Sequence, residues 1–112
     1  MIKIYHNPRC SKSRQALELL RKEGKEPEII EYLKTPLTAE VIRELLKKLN
    51  LPARDIVRKK EAGALDIDLG AVTDETLVKE IVNNPVLIER PIVITEKGAL
   101  ICRPPEKLYD IL

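Results

Sequence analysis

Apolar residues recur along the chain with two different spacings, and their alternation predicts a mixed fold of strands and helices. A short strand at residues 2–5 is ended by His6-Asn7-Pro8. A helix is expected from about Ser11 to Glu23, with Gly24 as its C-terminal cap. Residues 28–32 predict a second strand, and a strand–helix–strand unit of this kind favours parallel strands.

The middle of the chain is predicted to be helical. Thr38 is the expected N-cap of a helix whose apolar stripe reaches Leu49. Thr73 is the expected cap of another helix, which Asn83-Asn84-Pro85 ends. Between these two helices, residues 51–69 predict only short helical turns, around Ile56-Val57 and at residues 61–64.

Two strands and a short helix are predicted for the C-terminal part. Residues 91–95 and 99–102 are separated by Lys97-Gly98, as expected for a β-hairpin. Pro104-Pro105 opens a terminal helix, because proline is tolerated in a first turn. The element order is therefore β-α-β, a helical middle and β-β-α, an α/β arrangement that fits one domain of 112 residues.

Composition and charge narrow the classes of function. The only aromatic residues are three tyrosines, so a platform for stacking nucleic-acid bases is not expected. The 20 basic and 18 acidic side chains are interspersed, which is typical of a solvated surface and not of a nucleic-acid footprint. Neither a membrane span nor a signal peptide is visible, so we predict a cytoplasmic protein without nucleic-acid or membrane partners. In that compartment the two cysteines are not expected to form a structural disulfide.

Cys10 is the candidate nucleophile, because it lies where a strand ends and a helix begins. The free N–H groups at a helix N-terminus bind anions and also stabilise a thiolate. Arg9, Lys12 and Arg14 add local positive charge. Ser13 stands where a C-x-x-C redox motif has its second thiol, so Cys10 cannot close a local disulfide. The alternative is that Cys10 is an ordinary small residue in a turn.

The other candidate residues are each open to a structural interpretation. Cys102 ends an apolar strand, which favours packing over a role as a resolving thiol. His6, the only histidine, is able to tune a thiolate or simply to hold the turn. Arginine is suited to bidentate binding of oxyanions. Three arginines adjoin predicted apolar segments. Each of them taken singly is more often a surface residue. They are Arg58, Arg90 and Arg103. The Arg90-Pro91 bond, at a strand start, is also a candidate cis peptide.

Five ordered segments resemble the glutaredoxin-coupled arsenate reductases. They are YHNPRCSKSR at residues 5–14, EYLKTP at 31–36, VRK at 57–59, ERPIV at 89–93 and CRP at 102–104. The resemblance covers essentially the whole chain, which makes it far more specific than C-x-x-S alone. It implies a thioredoxin-like fold in a single domain over residues 1–112, with a mixed four-stranded sheet and a helical insertion at about residues 38–84.

The resemblance also implies roles for individual residues. Cys10 matches the nucleophile that attacks arsenate, and Cys102 matches a cysteine that is not the nucleophile. His6 and Ser13 match residues that tune the thiolate. Pro91 matches the cis-proline of thioredoxin-like folds. The three arginines that hold the oxyanion match Arg58, Arg90 and Arg103.

The implied activity is reduction of arsenate to arsenite by a monomeric enzyme that uses glutathione as co-substrate and glutaredoxin as partner, with no bound cofactor or metal. The chain stops at Leu112, and this short form resembles a subgroup whose physiological substrate is less well defined. One alternative is therefore a thiol oxidoreductase of unknown substrate on the same fold. Another is an Spx-type regulator that binds RNA polymerase, although its C-x-x-C switch is missing here because position 13 is serine.

Overall fold

The computed structural model describes residues 1–112, and these form two compact units. The first unit contains Met1–Thr35 and Arg90–Leu112, and the second contains Pro36–Glu89. The helical insertion predicted at about residues 38–84 falls within the second unit. All four strands belong to the first unit.

A mixed four-stranded sheet organises the first unit, as the sequence predicts. Its strands are β1 (Lys3–Tyr5), β2 (Glu28–Ile30), β3 (Ile92–Thr95) and β4 (Gly98–Ile101). Their order in the sheet is β2-β1-β3-β4. The crossover from β1 to β2 makes that pair parallel, whereas β1–β3 and the β3–β4 hairpin are antiparallel. The end of β1 and the start of β3 are therefore neighbours in the sheet.

Helix α1 (Ser11–Lys22) makes the crossover and buries its apolar face. Ala16 and Leu20 on that face are fully buried together with Ile4 of β1 and Val93 of β3. Gly24 has a positive φ of 75° and its N–H donates to the Arg21 carbonyl, so it ends the helix as predicted. The core is aliphatic because the chain has no phenylalanine or tryptophan.

The C-terminal helix closes the first unit. It is a 3₁₀ helix over Pro105–Asp110, and its Leu108 is fully buried in the core formed by the sheet and α1. The segment that follows is tied to the sheet, since the Thr95 hydroxyl donates to the Ile111 carbonyl.

The second unit contains three α-helices: α2 (Ala39–Leu49), α3 (Lys59–Ala64) and α4 (Asp74–Asn83). Two 3₁₀ helices accompany them, at Ala53–Ile56 and Pro85–Leu87. The predicted caps are present: the Thr38 hydroxyl accepts the Val41 N–H and the Thr73 hydroxyl accepts the Thr76 N–H, both at 3.2 Å. The core of this unit includes Ile42, Leu45, Leu77 and Ile81.

One prediction for the second unit is wrong at a single residue. Val57 was expected in a helical turn but is extended and forms a β-bridge with Ile88. Backbone hydrogen bonds of 2.7 Å on either side, from Arg58 N–H to the Leu87 carbonyl and from Glu89 N–H to the Ile56 carbonyl, hold it there. This pairing joins segments about 30 positions apart, so the local pattern does not reveal it.

Candidate functional site

The loop between β1 and α1 presents Cys10 as the N-cap of α1. Cys10 has an extended backbone, and its carbonyl accepts the Arg14 N–H, which starts the helix. Asn7 shapes the loop, since its carbonyl accepts the Cys10 N–H and its side-chain oxygen accepts the Arg9 N–H, each at 3.0 Å. No side chain caps α1, and its first turn has no acidic residue. The sulfur therefore lies at the positive end of the helix, beside first-turn N–H groups that have no partner within the helix.

His6 and Ser13, the two residues predicted to tune the thiolate, form a hydrogen bond with each other. Both are buried, and the imidazole Nδ1 lies 2.6 Å from the Ser13 hydroxyl oxygen. That oxygen also accepts the Asn7 backbone N–H at 3.0 Å. Burial lowers the pKa of His6, with Glu31 acting in the opposite direction, so the imidazole is neutral at pH 7. The His6–Ser13 pair thus ties the end of β1 to the first turn of α1.

The surroundings of Cys10 favour its ionised form. Partial burial by itself raises the pKa of the Cys10 thiol. Hydrogen bonds from the backbone N–H groups of Ser13 and Lys12, together with the hydrogen bond and charge of the Arg90 side chain, outweigh that effect. The pKa of the thiol is therefore lowered, and the thiolate, which is the nucleophilic form, is stabilised.

Arg90 and Arg103 flank the open end of the β3–β4 hairpin, one before β3 and the other after β4. Arg90 precedes β3, whose Ile92 pairs with Tyr5 of β1, so the sheet register brings it beside Cys10. Arg103 follows β4, and its Nη1 donates to the Arg90 carbonyl at 3.1 Å. The Arg90 Nε is buried and has no hydrogen-bond partner. The structure thus brings Arg90 to Cys10 and places the Arg103 guanidinium against the Arg90 backbone.

The peptide bonds that follow both arginines are cis. The Arg90-Pro91 bond is cis, as the sequence suggested, and the Arg103-Pro104 bond is cis as well.

Arg58 lies in the second unit as the N-cap residue of α3. Its guanidinium Nη1 donates to a Glu61 carboxylate oxygen at 3.1 Å, and about a quarter of each side chain is exposed. Its assignment as an oxyanion ligand stays a prediction.

Cys102 differs from Cys10 in every property that governs thiol reactivity. Its side chain is fully buried, and its sulfur lies 3.6 Å from the Leu100 carbonyl. Burial raises the pKa of the Cys102 thiol to about 12. Both cysteines are free. Cys102 is therefore a protonated core residue, in agreement with the packing interpretation.

Sequence reasoning missed which atoms of the first helical turn contact the sulfur. Ser13 contributes its backbone N–H, while its hydroxyl is engaged by His6. Lys12 contributes its backbone N–H in the same way. The available signal was positional, because the second and third residues after any N-cap have free N–H groups that point toward the cap.

Other features of the molecule do not add to the site. A groove at the opposite end of β1, between Ile2, Lys25, Lys97 and Leu112, contains none of the predicted site residues. No group of three or more His, Cys, Asp or Glu side chains is arranged to hold a metal ion. None of the helices has both the length and the apolar character needed to cross a membrane.

A cysteine at the N-cap of the first helix, after the first strand of a mixed four-stranded sheet, is the arrangement of a thioredoxin-like fold. Comparison with known proteins narrows this class, since the model of the ArsC family matches residues 5–111. The chain belongs to the ArsC family.

The relatives of the chain are similar over almost its full length. It is 46% identical to the uncharacterized protein YfgD of Escherichia coli strain K12, across 99% of this chain and 96% of that protein. It is 41% identical to an arsenate reductase of Yersinia enterocolitica, across 99% of this chain and 80% of the relative. The solved structure of an arsenate reductase from Vibrio cholerae superposes with a TM-score of 0.92 at 40% identity, covering 99% of this chain and 97% of that one.

Proposed function

We propose that this protein is an arsenate reductase whose nucleophile is the Cys10 thiolate. The observation that carries the proposal is the contact between a thiol of lowered pKa and the Arg90 guanidinium, whose buried Nε–H has no partner. A buried cationic donor without an acceptor is costly unless an anionic oxygen completes it. Relatives about 40% identical that are named arsenate reductases support the choice of oxyanion.

The first chemical step is attack of the Cys10 sulfur on As(V). A sulfur–arsenic bond forms, one arsenic–oxygen bond breaks, and the departing oxygen leaves as water after protonation. Arg90 and Arg103 offer guanidinium donors for the remaining oxygens, and the free N–H groups of α1 add positive potential. These groups are already in place before the reaction, so little reorganisation opposes the transition state.

The second part of the reaction needs external thiols, because Cys102 is buried and its pKa is about 12. Glutathione replaces a second oxygen on arsenic, which again leaves as water. A glutaredoxin thiol then attacks the glutathione sulfur, and a disulfide forms. The bond between the glutathione sulfur and arsenic breaks, and its electron pair reduces arsenic to As(III), which stays bound to Cys10. Water releases arsenite and restores the Cys10 thiol, so that two thiols in total supply the two electrons.

Arsenate reduction measured with glutathione and glutaredoxin tests the proposal. Cys10→Ser is expected to abolish arsenite release, because a hydroxyl of ordinary pKa does not replace the thiolate. Cys102→Ala is the matched control, and a folded Cys102→Ala protein is expected to retain activity. Turnover by Cys10→Ser at a rate comparable to wild type would contradict the proposal. Arg58→Ala tests the remaining member of the predicted arginine set.

A thiol oxidoreductase with another substrate is the second candidate. The observation that favours it is the 46% identity to YfgD, a protein of matching length that is named as uncharacterized. A very high KM for arsenate together with efficient turnover of a mixed disulfide would support this candidate over arsenate reduction. The expected monomeric state and cytoplasmic location stay predictions under either function.

A further inference from the structure

The N-terminal segment that carries Cys10 is entirely free of acidic side chains. From Met1 to Leu17 the chain contains no aspartate or glutamate. Three cations lie within four positions of the sulfur: Arg9, Lys12 and Arg14, here called the cationic rim. All three side chains are exposed, in contrast to the half-buried Arg90 that contacts the sulfur.

The members of the cationic rim form no ion pairs. By contrast, two arginines outside the rim are paired with glutamates: Arg21 contacts Glu26 and Arg43 contacts Glu75. In the rim, the guanidinium of Arg14 donates to the Pro8 carbonyl at 2.9 Å, which fixes it against the Cys10 loop without using its charge. Several of its N–H donors therefore remain available to an anion.

We propose that the cationic rim docks the carboxylate of the external reducing thiol, so that adducts on Cys10 are resolved preferentially by small thiols of net negative charge. This inference rests on the proposed function only for the identity of the adduct. Cys10 has no internal thiol partner, so an external thiol must approach from solvent, and the exposed rim residues are its near neighbours in the chain. Positive side chains around that approach raise the local concentration of an anionic thiolate.

Disulfide exchange at Cys10 isolates this step from arsenic chemistry. Cys10 is labelled with 2,2′-dithiodipyridine, which leaves an uncharged pyridyl disulfide. An added thiolate attacks the Cys10 sulfur, a new sulfur–sulfur bond forms, and thiopyridone leaves with the electron pair of the broken bond and takes up a proton. Release of thiopyridone is followed by absorbance with glutathione, which carries one net negative charge, and with its uncharged monoethyl ester.

Glutathione is expected to react about two- to threefold faster than its monoethyl ester at low ionic strength, as for unit charges about 7–8 Å apart in water. High salt should bring the ratio of the two rates close to one. Arg9→Gln and Lys12→Gln should each lower the ratio, and Lys12→Glu should lower it further. Arg21→Gln, at the far end of the same helix, is the matched control and should leave the ratio unchanged.

The proposal would be overturned if the wild type reacted equally fast with glutathione and with its monoethyl ester. It would also be overturned if the ratio of these rates changed neither with salt nor with the rim substitutions. The assay contains no arsenate, so this failure is distinct from a failure of the proposed function. Conversely, the wild-type protein could fail to reduce arsenate and still react faster with glutathione than with its ester. That result would support the docking surface and contradict an arsenical adduct on Cys10. Cys10→Ser shows that the measured label is on Cys10 and not on the buried Cys102.

Discussion

The start of α1 in the first unit differs from the starts of α2 and α4 in the second unit. In the second unit, α2 and α4 begin with threonine caps whose hydroxyls accept backbone N–H groups. Acidic residues follow in their first turns, at Glu40, Asp74 and Glu75. In the first unit, α1 begins at Cys10 with no side-chain cap and no acidic residue in the first turn. First-turn N–H groups donate to threonine hydroxyls in α2 and α4, whereas in α1 they act on the Cys10 sulfur.

The two units also differ in their net formal charge. The first unit holds twelve basic and eight acidic side chains, whereas the second holds eight basic and ten acidic ones, so the formal charges are +4 and −2. Arg43 and Arg58 in the second unit are paired with glutamates, while Arg90 and Arg103 in the first unit make no ion pair. Arg90, which acts directly on the sulfur, therefore keeps its charge available for an anionic ligand.

The largest expected effect comes from removing a free cation at the sulfur. Arg90→Ala should lower kcat/KM for arsenate about 100-fold, as loss of one oxyanion donor commonly does. It should also move the rise in Cys10 alkylation rate to higher pH, because the guanidinium helps to lower the pKa of that thiol. Steady-state kinetics and the pH profile of alkylation measure the two effects. Arg43→Ala, which removes a paired arginine of the second unit, is the control. An equal loss of kcat/KM in both variants would contradict a special role for the unpaired Arg90.

A smaller effect is expected where the helix start is purely structural. Thr73→Ala should lower the free energy of unfolding by about 1 kcal/mol, because the Thr76 N–H loses its acceptor. Urea denaturation measures this loss, and the alkylation rate of Cys10 should be unchanged. The matched change at α1 is Cys10→Ala, which removes a sulfur whose backbone hydrogen bonds favour the thiolate over the thiol. At mildly acidic pH it should cost clearly less stability, and an equal cost would contradict the assigned difference.

The smallest effect is expected when α1 is given an acidic residue in its first turn, as α2 and α4 have. Ser11→Asp places a carboxylate in the first turn of α1 and should stabilise the protein by about 0.3–1 kcal/mol through the helix dipole. The same charge should raise the pKa of the Cys10 thiol toward its ordinary value and slow alkylation at neutral pH. Gln15→Glu, one turn further along the exposed side, is the control. Faster alkylation in Ser11→Asp would show that the open helix start does not stabilise the thiolate.

Much of the fold could be predicted because it depends on local chemistry. Apolar spacing placed the four strands and the main helices to within about two residues at their ends. The caps at Thr38 and Thr73 and the helix stop at Gly24 follow from the hydrogen-bonding and conformational preferences of those residues. The position of Cys10 between a strand and a helix follows in the same way. The resemblance of ordered segments supplied the family, which the comparisons confirm.

What the sequence alone determined is therefore the set of elements, the family and the sulfur at the head of α1. Only the tertiary structure decided which partners meet that sulfur. The pairing of Tyr5 with Ile92 brings Arg90 to a residue 80 positions earlier in the chain. Folding of β1 against α1 joins His6 to Ser13, and the core that encloses Cys102 raises its pKa to about 12. Each of these depends on contacts between distant segments or on burial, which no local spacing of residues encodes.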